Sequence, residues 1–176
     1  MLQPTLRAPG PDDAAAWFDF LVRQQAAAYT GIVPSDFEAR QRAGSRSWIE
    51  ALRAKFSVPG AASRVVAEVE GKLVGIASVV DGPAEWEVAE GFVPAPAARE
   101  LSRLYLAPEF HGTGLARRLL AAVDDGRDLY LWLIDGNQRA QRFYRRQGFV
   151  DLAESFAAGP SWGNVAMHRM ARRSGG

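Results

Sequence analysis

Residues 109–120, EFHGTGLARRLL, set Gly112 and Gly114 two positions apart at the mouth of a helical stretch. Glycine costs a helix interior roughly 1 kcal/mol relative to alanine. Two of them mean either a loose turn or a backbone that is itself wanted. The first turn of a helix has N–H groups without partners inside the helix, and the macrodipole places partial positive charge there. Glycine removes the Cβ atoms that would hold a ligand away. The stretch reads as a site for phosphate or pyrophosphate, with Arg117 and Arg118 adding positive charge; the other reading is a turn that only connects two elements. It is not a Walker loop, and it lacks the G-x-G-x-x-G spacing of dinucleotide binders. Gly112, Gly114 and Ala116 give G-x-G-x-A instead. The chain has no cysteine, which excludes disulfides, thiolate metal sites and a cysteine nucleophile. Its two histidines, His111 and His168, are far apart, and no motif joins them to acidic ligands, so no metal is expected.

The elements around this turn follow from periodicity. TLRAP reads as an edge strand ended by Pro9, Gly10 and Pro11. Asp12 or Asp13 then caps a helix whose Trp17, Phe18, Leu21 and Val22 share a face. Gly31 and Pro34 break it. Ser35 or Asp36 caps the next helical stretch, and Trp48, Ile49, Leu52 and Phe56 mark a further helical face. SRVVAEVE and LVGIASVV are strand-like and joined by a tight turn at Glu70-Gly71-Lys72, a hairpin. Residues 81–99 have no clear period and read as the longest loop. ELSRLYLAP is a strand ending at Pro108, and Thr113–Val123 is a helix with Leu115, Leu119 and Val123 repeating at four. DLYLWLI is a continuous apolar run, as expected of a strand buried on both faces. Asn137–Gln147 is a helix closed by Gly148 as a left-handed cap. FVDLAESF and NVAMHRM finish the chain as strands. Mixed order of this kind implies an α/β chain with helices on both faces of a sheet.

The chain has 176 residues, 48% of them hydrophobic, and a net charge of +1. That suits one domain spanning 1–176 with a real core and gives no electrostatic case for nucleic acid. No stretch approaches the ~20 apolar residues of a membrane span, and the N-terminus has no signal-peptide pattern. A cytoplasmic protein with no membrane or nucleic-acid partner, monomeric or homodimeric, is the expectation.

The stretch from Glu100 to Phe149 resembles the GNAT superfamily of acyl-CoA-dependent N-acetyltransferases. The signature Q/R-x-x-G-x-G/A after a strand is read here as His111-Gly112-Thr113-Gly114-Leu115-Ala116, with His in the first position. The N-x-x-A-x-x-F-Y-x-x-x-G-F pattern is intact as Asn137, Ala140, Phe143, Tyr144, Gly148 and Phe149. AAYTGIVPSDF is similar, more loosely, to the acceptor-side helix and loop. The resemblance implies a mixed, mostly antiparallel sheet of about seven strands, splayed between strands four and five. It implies acetyl-CoA as co-substrate, its pyrophosphate on N–H groups from about His111 to Ala116 beside Arg117. The pantetheine arm would pair with the backbone of Leu104, Tyr105 and Leu106. The activity implied is direct transfer of acetyl to a small-molecule or peptide amine, without an acyl-enzyme, and no cysteine or nucleophilic serine motif offers a host for one.

The resemblance gives roles to individual residues. Tyr144 would protonate the departing thiolate, which a phenol with an ordinary pKa near ~10 can do at neutral pH; packing beside Phe143 is the other reading. Asn137 would bind the pantetheine arm and also serve as a helix N-cap. Glu100 would take the proton of the attacking ammonium, or be a strand-start charge in solvent or paired with Arg99 or Arg103. Tyr29 lies next to the acceptor loop. Alternation puts Glu100, Ser102, Leu104 and Leu106 on one strand face and Leu101, Arg103 and Tyr105 on the other. Asp81, Glu85, Glu87 and Glu90 form either an acidic lid for a cationic amine or a solvated loop. His168 either lines the acceptor site or is structural. A CoA-binding regulatory module without turnover and a nucleotide phosphate-binding module are the competing functional readings.

Overall fold

The computed structural model describes residues 3–58 and 63–175. Its elements are β1 (Thr5–Arg7), α1 (Ala14–Ala28), α2 (Phe37–Ala43), α3 (Ser45–Phe56), β2 (Ser63–Val69), β3 (Lys72–Asp81), α4 (Glu85–Ala89), β4 (Arg99–Leu106), α5 (Leu115–Val123), β5 (Leu129–Ile134), α6 (Gln138–Arg146), β6 (Val150–Asp151), β7 (Phe156–Ala157) and β8 (Ala166–Arg172). The strands pair in the order β1-β2-β3-β4-β5-β8-β6, with β7 also on β8. This is the mixed, mostly antiparallel sheet expected, with eight strands in place of seven. The extra strand arises because FVDLAESF breaks into two two-residue strands, β6 and β7. The chain divides into two compact units, Met1–Ser78 with Arg103–Asp124, and Val79–Ser102 with Asp125–Gly176.

In the first unit, α1 buries Trp17, Phe18, Leu21 and Val22 on the expected face, together with Phe20. The caps differ from expectation. Asp13 makes no side-chain cap to α1; a 3-10 turn over Pro11–Asp13 comes first, and the carboxylate reaches back to the Gly10 N–H at 2.7 Å and to Arg7. Asp36 likewise gives its carboxylate to Arg40 one helical turn on, not to the backbone of α2. In both cases a guanidinium competes for the oxygen that a free N–H would take. The Trp48, Ile49, Leu52 and Phe56 face of α3 is peripheral, with none of the four buried. Trp48 is 47% exposed, although its ring approaches Phe18 and Phe56 meets Trp17 edge-on.

Alternation along β4 sets its two faces against different helices. A Cβ on Gly75 of β3 would meet Leu119 of α5 at 2.8 Å and Leu106 at 3.3 Å, so Leu106 faces α5. Its neighbour Tyr105 points the other way, to Gln25 of α1 and to Tyr29 just beyond it. Helices therefore cover both faces of this strand, as period-two alternation requires. The Leu115, Leu119 and Val123 row of α5 is fully buried.

In the second unit, β5 is buried along almost its whole length. It registers with β8 at six pairs, from Leu129↔Arg172 to Ile134↔Met167, but with its parallel neighbour β4 at Glu100↔Tyr130. That short pairing is the splay between strands four and five. Residues 81–99 are not the structureless loop expected. They carry α4, and Glu87 in it is fully buried.

Candidate functional site

The turn from Ala107 to Arg117 belongs to the first unit. Pro108 starts a 3-10 turn, the His111 N–H donates to the Pro108 carbonyl at 3.0 Å, and Thr113 donates through N–H and hydroxyl to the Phe110 carbonyl. Gly112 and Gly114 then take φ of +78° and +87°, a left-handed conformation that a Cβ disfavours. Gly114 is the N-cap of α5, and the first intrahelical bond is Arg118 N–H to Gly114 carbonyl. Helix geometry leaves the N–H groups of Leu115, Ala116 and Arg117 without an intrahelical acceptor. A Cβ built on Gly112 or Gly114 would meet nothing within 4 Å. The turn is thus an open backbone surface at a positive helix end, which fits a phosphate-bearing ligand. Arg117 is exposed beside it, whereas Arg118 turns back to the Pro4 carbonyl.

Of the other residues singled out from the sequence, Leu104, Tyr105, Leu106 and Tyr29 lie in this same unit. The Tyr29 and Tyr105 hydroxyls are 3.2 Å apart, and Gln25 donates to Tyr105 at 3.4 Å. Tyr29 and Gln25 are both buried.

Glu100, Asn137 and Tyr144 lie in the second unit. Asn137 caps α6 as expected, its side chain accepting the Ala140 N–H at 3.2 Å. Gly148 at φ +85° ends the helix, and the Phe149 N–H returns to the Tyr144 carbonyl. The cap at one end and the left-handed glycine at the other orient the helix that carries Tyr144. Its ring is buried and packs edge-on against Phe143 and Phe149. Glu100 is 5% exposed at the start of β4. Neighbouring Arg99 commits to Asp81 at 2.6 Å, with Asp125 at 3.5 Å.

Sequence reasoning missed a set of buried polar residues in this unit. Glu87 is neither a solvated loop residue nor part of an open acidic lid. Its carboxylate accepts from the Tyr130 hydroxyl at 3.0 and 2.8 Å, from Trp132 Nε1 at 3.0 Å and from the Ala84 N–H at 2.6 Å. The available signal was Glu three residues after Ala84, which is half of a capping box and a helix-start mark. Asp81 pairs with Arg99 while its own side chain stays 79% exposed, and Glu85 and Glu90 are exposed as well. Arg169 of β8 is 3% exposed. It pairs with Glu154, donates to the Phe92 and Pro94 carbonyls, and lies over the rings of Trp132 and Phe156. Burial and then the Glu87 hydrogen bond push the Tyr130 phenol well up, with the Glu100 and Glu87 charges adding to this and Arg169 opposing it.

His168 is held by two acidic residues that the spacing did not connect to it. Nδ1 faces Asp135 at 2.5 Å and Nε2 faces Asp151 at 2.9 Å. The three residues line a cleft of about 370 Å³ with Asn137, Gln141, Arg145 and Glu154. Burial alone would raise the Asp151 carboxyl, but hydrogen bonds from Gln141, Arg145 and His168 outweigh it and hold it at about 2. Among the described residues no group of three or more His, Asp or Glu could hold a metal ion, and no helix is long and apolar enough to cross a membrane.

Residues 19–149 match the acetyltransferase (GNAT) family. Uncharacterized N-acetyltransferases of Mycobacterium bovis and Mycobacterium tuberculosis are 38% identical over 91 residues, 48% of this chain and 51% of theirs. The chain therefore spans about half the length of the curated relatives it matches. Among solved structures, the PaiA N-acetyltransferase of Thermoplasma acidophilum in complex with coenzyme A superposes with a TM-score of 0.67, at 17% identity over 98% of this chain and 99% of that one. A ribosomal-protein-alanine N-acetyltransferase of Brucella melitensis gives a TM-score of 0.63 at 21% identity, over 96% and 99%. At these identities the two structures share the fold.

Proposed function

Because the chain belongs to the GNAT acetyltransferase family, we propose that it transfers acetyl from acetyl-CoA to a primary amine, acting as one domain over 1–176. The observation that carries this reading is the open glycine turn at the start of α5. Its N–H groups receive the pyrophosphate, now assigned to Gly112 and Gly114–Arg117, since the His111 and Thr113 N–H groups already donate within the turn. The backbone of Leu104, Tyr105 and Leu106 receives the pantetheine arm. The coenzyme-A complex of the Thermoplasma relative supports the co-substrate.

Acetyl-CoA supplies an activated acetyl group as a thioester. The amine nitrogen forms a bond to the acetyl carbon, and the carbon–sulfur bond breaks. Glu100 removes the proton that the attacking nitrogen must lose. Tyr144 gives a proton to the leaving sulfur, and Asn137 orients the arm that carries it. Products are the N-acetylated amine and CoA thiol. The acceptor is a small-molecule or peptide amine, with Tyr29 on its side of the reaction.

Thiol release should be followed over a polyamine, an aminoglycoside, a lysine-bearing peptide and a peptide with free N-terminal alanine. With the best of these, Tyr144→Phe should lower kcat by about 100-fold, the scale of lost general-acid catalysis. The Kd for acetyl-CoA, measured by calorimetry, should stay within twofold. An unchanged kcat removes Tyr144 from the acid role. Tight acetyl-CoA binding with no acceptor-dependent thiol release from any amine would instead mark a CoA-binding module.

A further inference from the structure

The mechanism leaves one buried acid of the second unit unused. Glu87 is fully buried, yet no cation is among the donors to its carboxylate described above. A buried carboxylate is costly unless it is hydrogen-bonded, and here the donors are a phenol, an indole and a backbone N–H. The phenol is fixed from a second side. A Cβ on Gly82 would sit 2.3 Å from the Tyr130 hydroxyl, so the Gly82 backbone packs directly on it. Tyr130 is the ladder partner of Glu100, and partners across a ladder put their side chains on the same sheet face. Trp132, two residues on, shares that face. The Tyr130 hydroxyl thus ties buried Glu87 to the sheet face that carries buried Glu100.

We propose that Glu87 is a positioning residue for Glu100: by taking the Tyr130 hydroxyl hydrogen it leaves the phenol oxygen as an acceptor beside Glu100, and its own buried charge makes Glu100 hold a proton more tightly. The inference rests on the reading of Glu100 as the base. An ammonium gives its proton to the Glu100 carboxylate, leaving a neutral amine and a neutral carboxyl. The neutral carboxyl has a proton to donate. A hydroxyl whose hydrogen is committed elsewhere favours that protonated form, and a like charge disfavours the ionised one. The same two features make Glu100 a stronger base. Glu100, Glu87 and Arg169 are the charged groups acting on the Tyr130 phenol, the two acids raising it and Arg169 lowering it.

The test is an NMR titration of protein carrying carboxyl-labelled glutamate, with the Glu100 signal identified from Glu100→Gln. No acceptor is needed. In the intact chain Glu100 should titrate above the ordinary carboxylate range. Glu87→Gln and Tyr130→Phe should each lower that midpoint by about one pH unit, a tenfold loss of proton affinity. The acidic limb of the kcat–pH profile should move with it. Phe92→Leu disturbs the packing around the same segment without changing charge and should leave the midpoint in place. A midpoint that does not move in Glu87→Gln or Tyr130→Phe, or that moves equally in Phe92→Leu, overturns the inference. Full turnover in Glu100→Gln overturns the base assignment instead, and is read separately from the titration.

Discussion

The glycine turn of the first unit and the insert over 81–99 in the second use glycine for opposite reasons. At Gly112 and Gly114 the backbone is left-handed and the space where a Cβ would stand is empty. At Gly82 that space is filled by the Tyr130 hydroxyl and ring, at 2.3–2.9 Å. The first region leaves backbone bare, as the proposed pyrophosphate site requires. The second removes a side chain so that the protein's own groups can close on each other. Gly112 and Gly114 answer a conformational requirement, and Gly82 a steric one.

The contrast is sharpest in a pair of alanine substitutions. Gly82→Ala should cost about 3 kcal/mol, the upper range for overpacking, because the Tyr130 hydroxyl it would meet is tied to Glu87. Gly114→Ala should cost about 1 kcal/mol, the price of a left-handed non-glycine residue, and should weaken acetyl-CoA binding as the turn shifts. Urea unfolding of both variants measures the difference, and equal losses would break the comparison. A smaller effect probes the side-chain-built region by pH. Asp151 is held at about 2, below its ordinary 3.8. Its folded form binds protons less readily than its unfolded form, so it stabilises the fold above pH 4 and loses that contribution as pH falls toward 2. Asp151→Asn should therefore unfold at a lower temperature than the parent at pH 7, with the gap narrowing below pH 4. A gap that does not change with pH would mean that packing, not charge, holds Asp151.

Much of the backbone was legible in the chain. DLYLWLI is β5 because a strand buried on both faces needs an unbroken apolar run. Leu115, Leu119 and Val123 are buried because a repeat of four keeps one helical face inward. Asn137 and Gly148 bracket α6 because cap chemistry is local. Where a cap oxygen had a competitor, the reading failed: Asp13 and Asp36 went to Arg7 and Arg40.

Local chemistry also explains how much of the candidate site could be read. A helix start with paired glycines exposes N–H groups whatever the rest of the chain does, so the open turn at 111–117 is legible in twelve residues. Glu87 was not, because its neighbours in sequence describe a polar segment, and its partners Tyr130 and Trp132 lie 43 and 45 positions away. Asp135, Asp151 and His168 are likewise scattered along the chain and meet only through the β5–β8 and β6–β8 ladders. Spacing along one element determines which backbone groups and which face are presented. Which acid lies beside which hydroxyl is a matter of strand register and of how a segment folds back, and tertiary structure alone decided that.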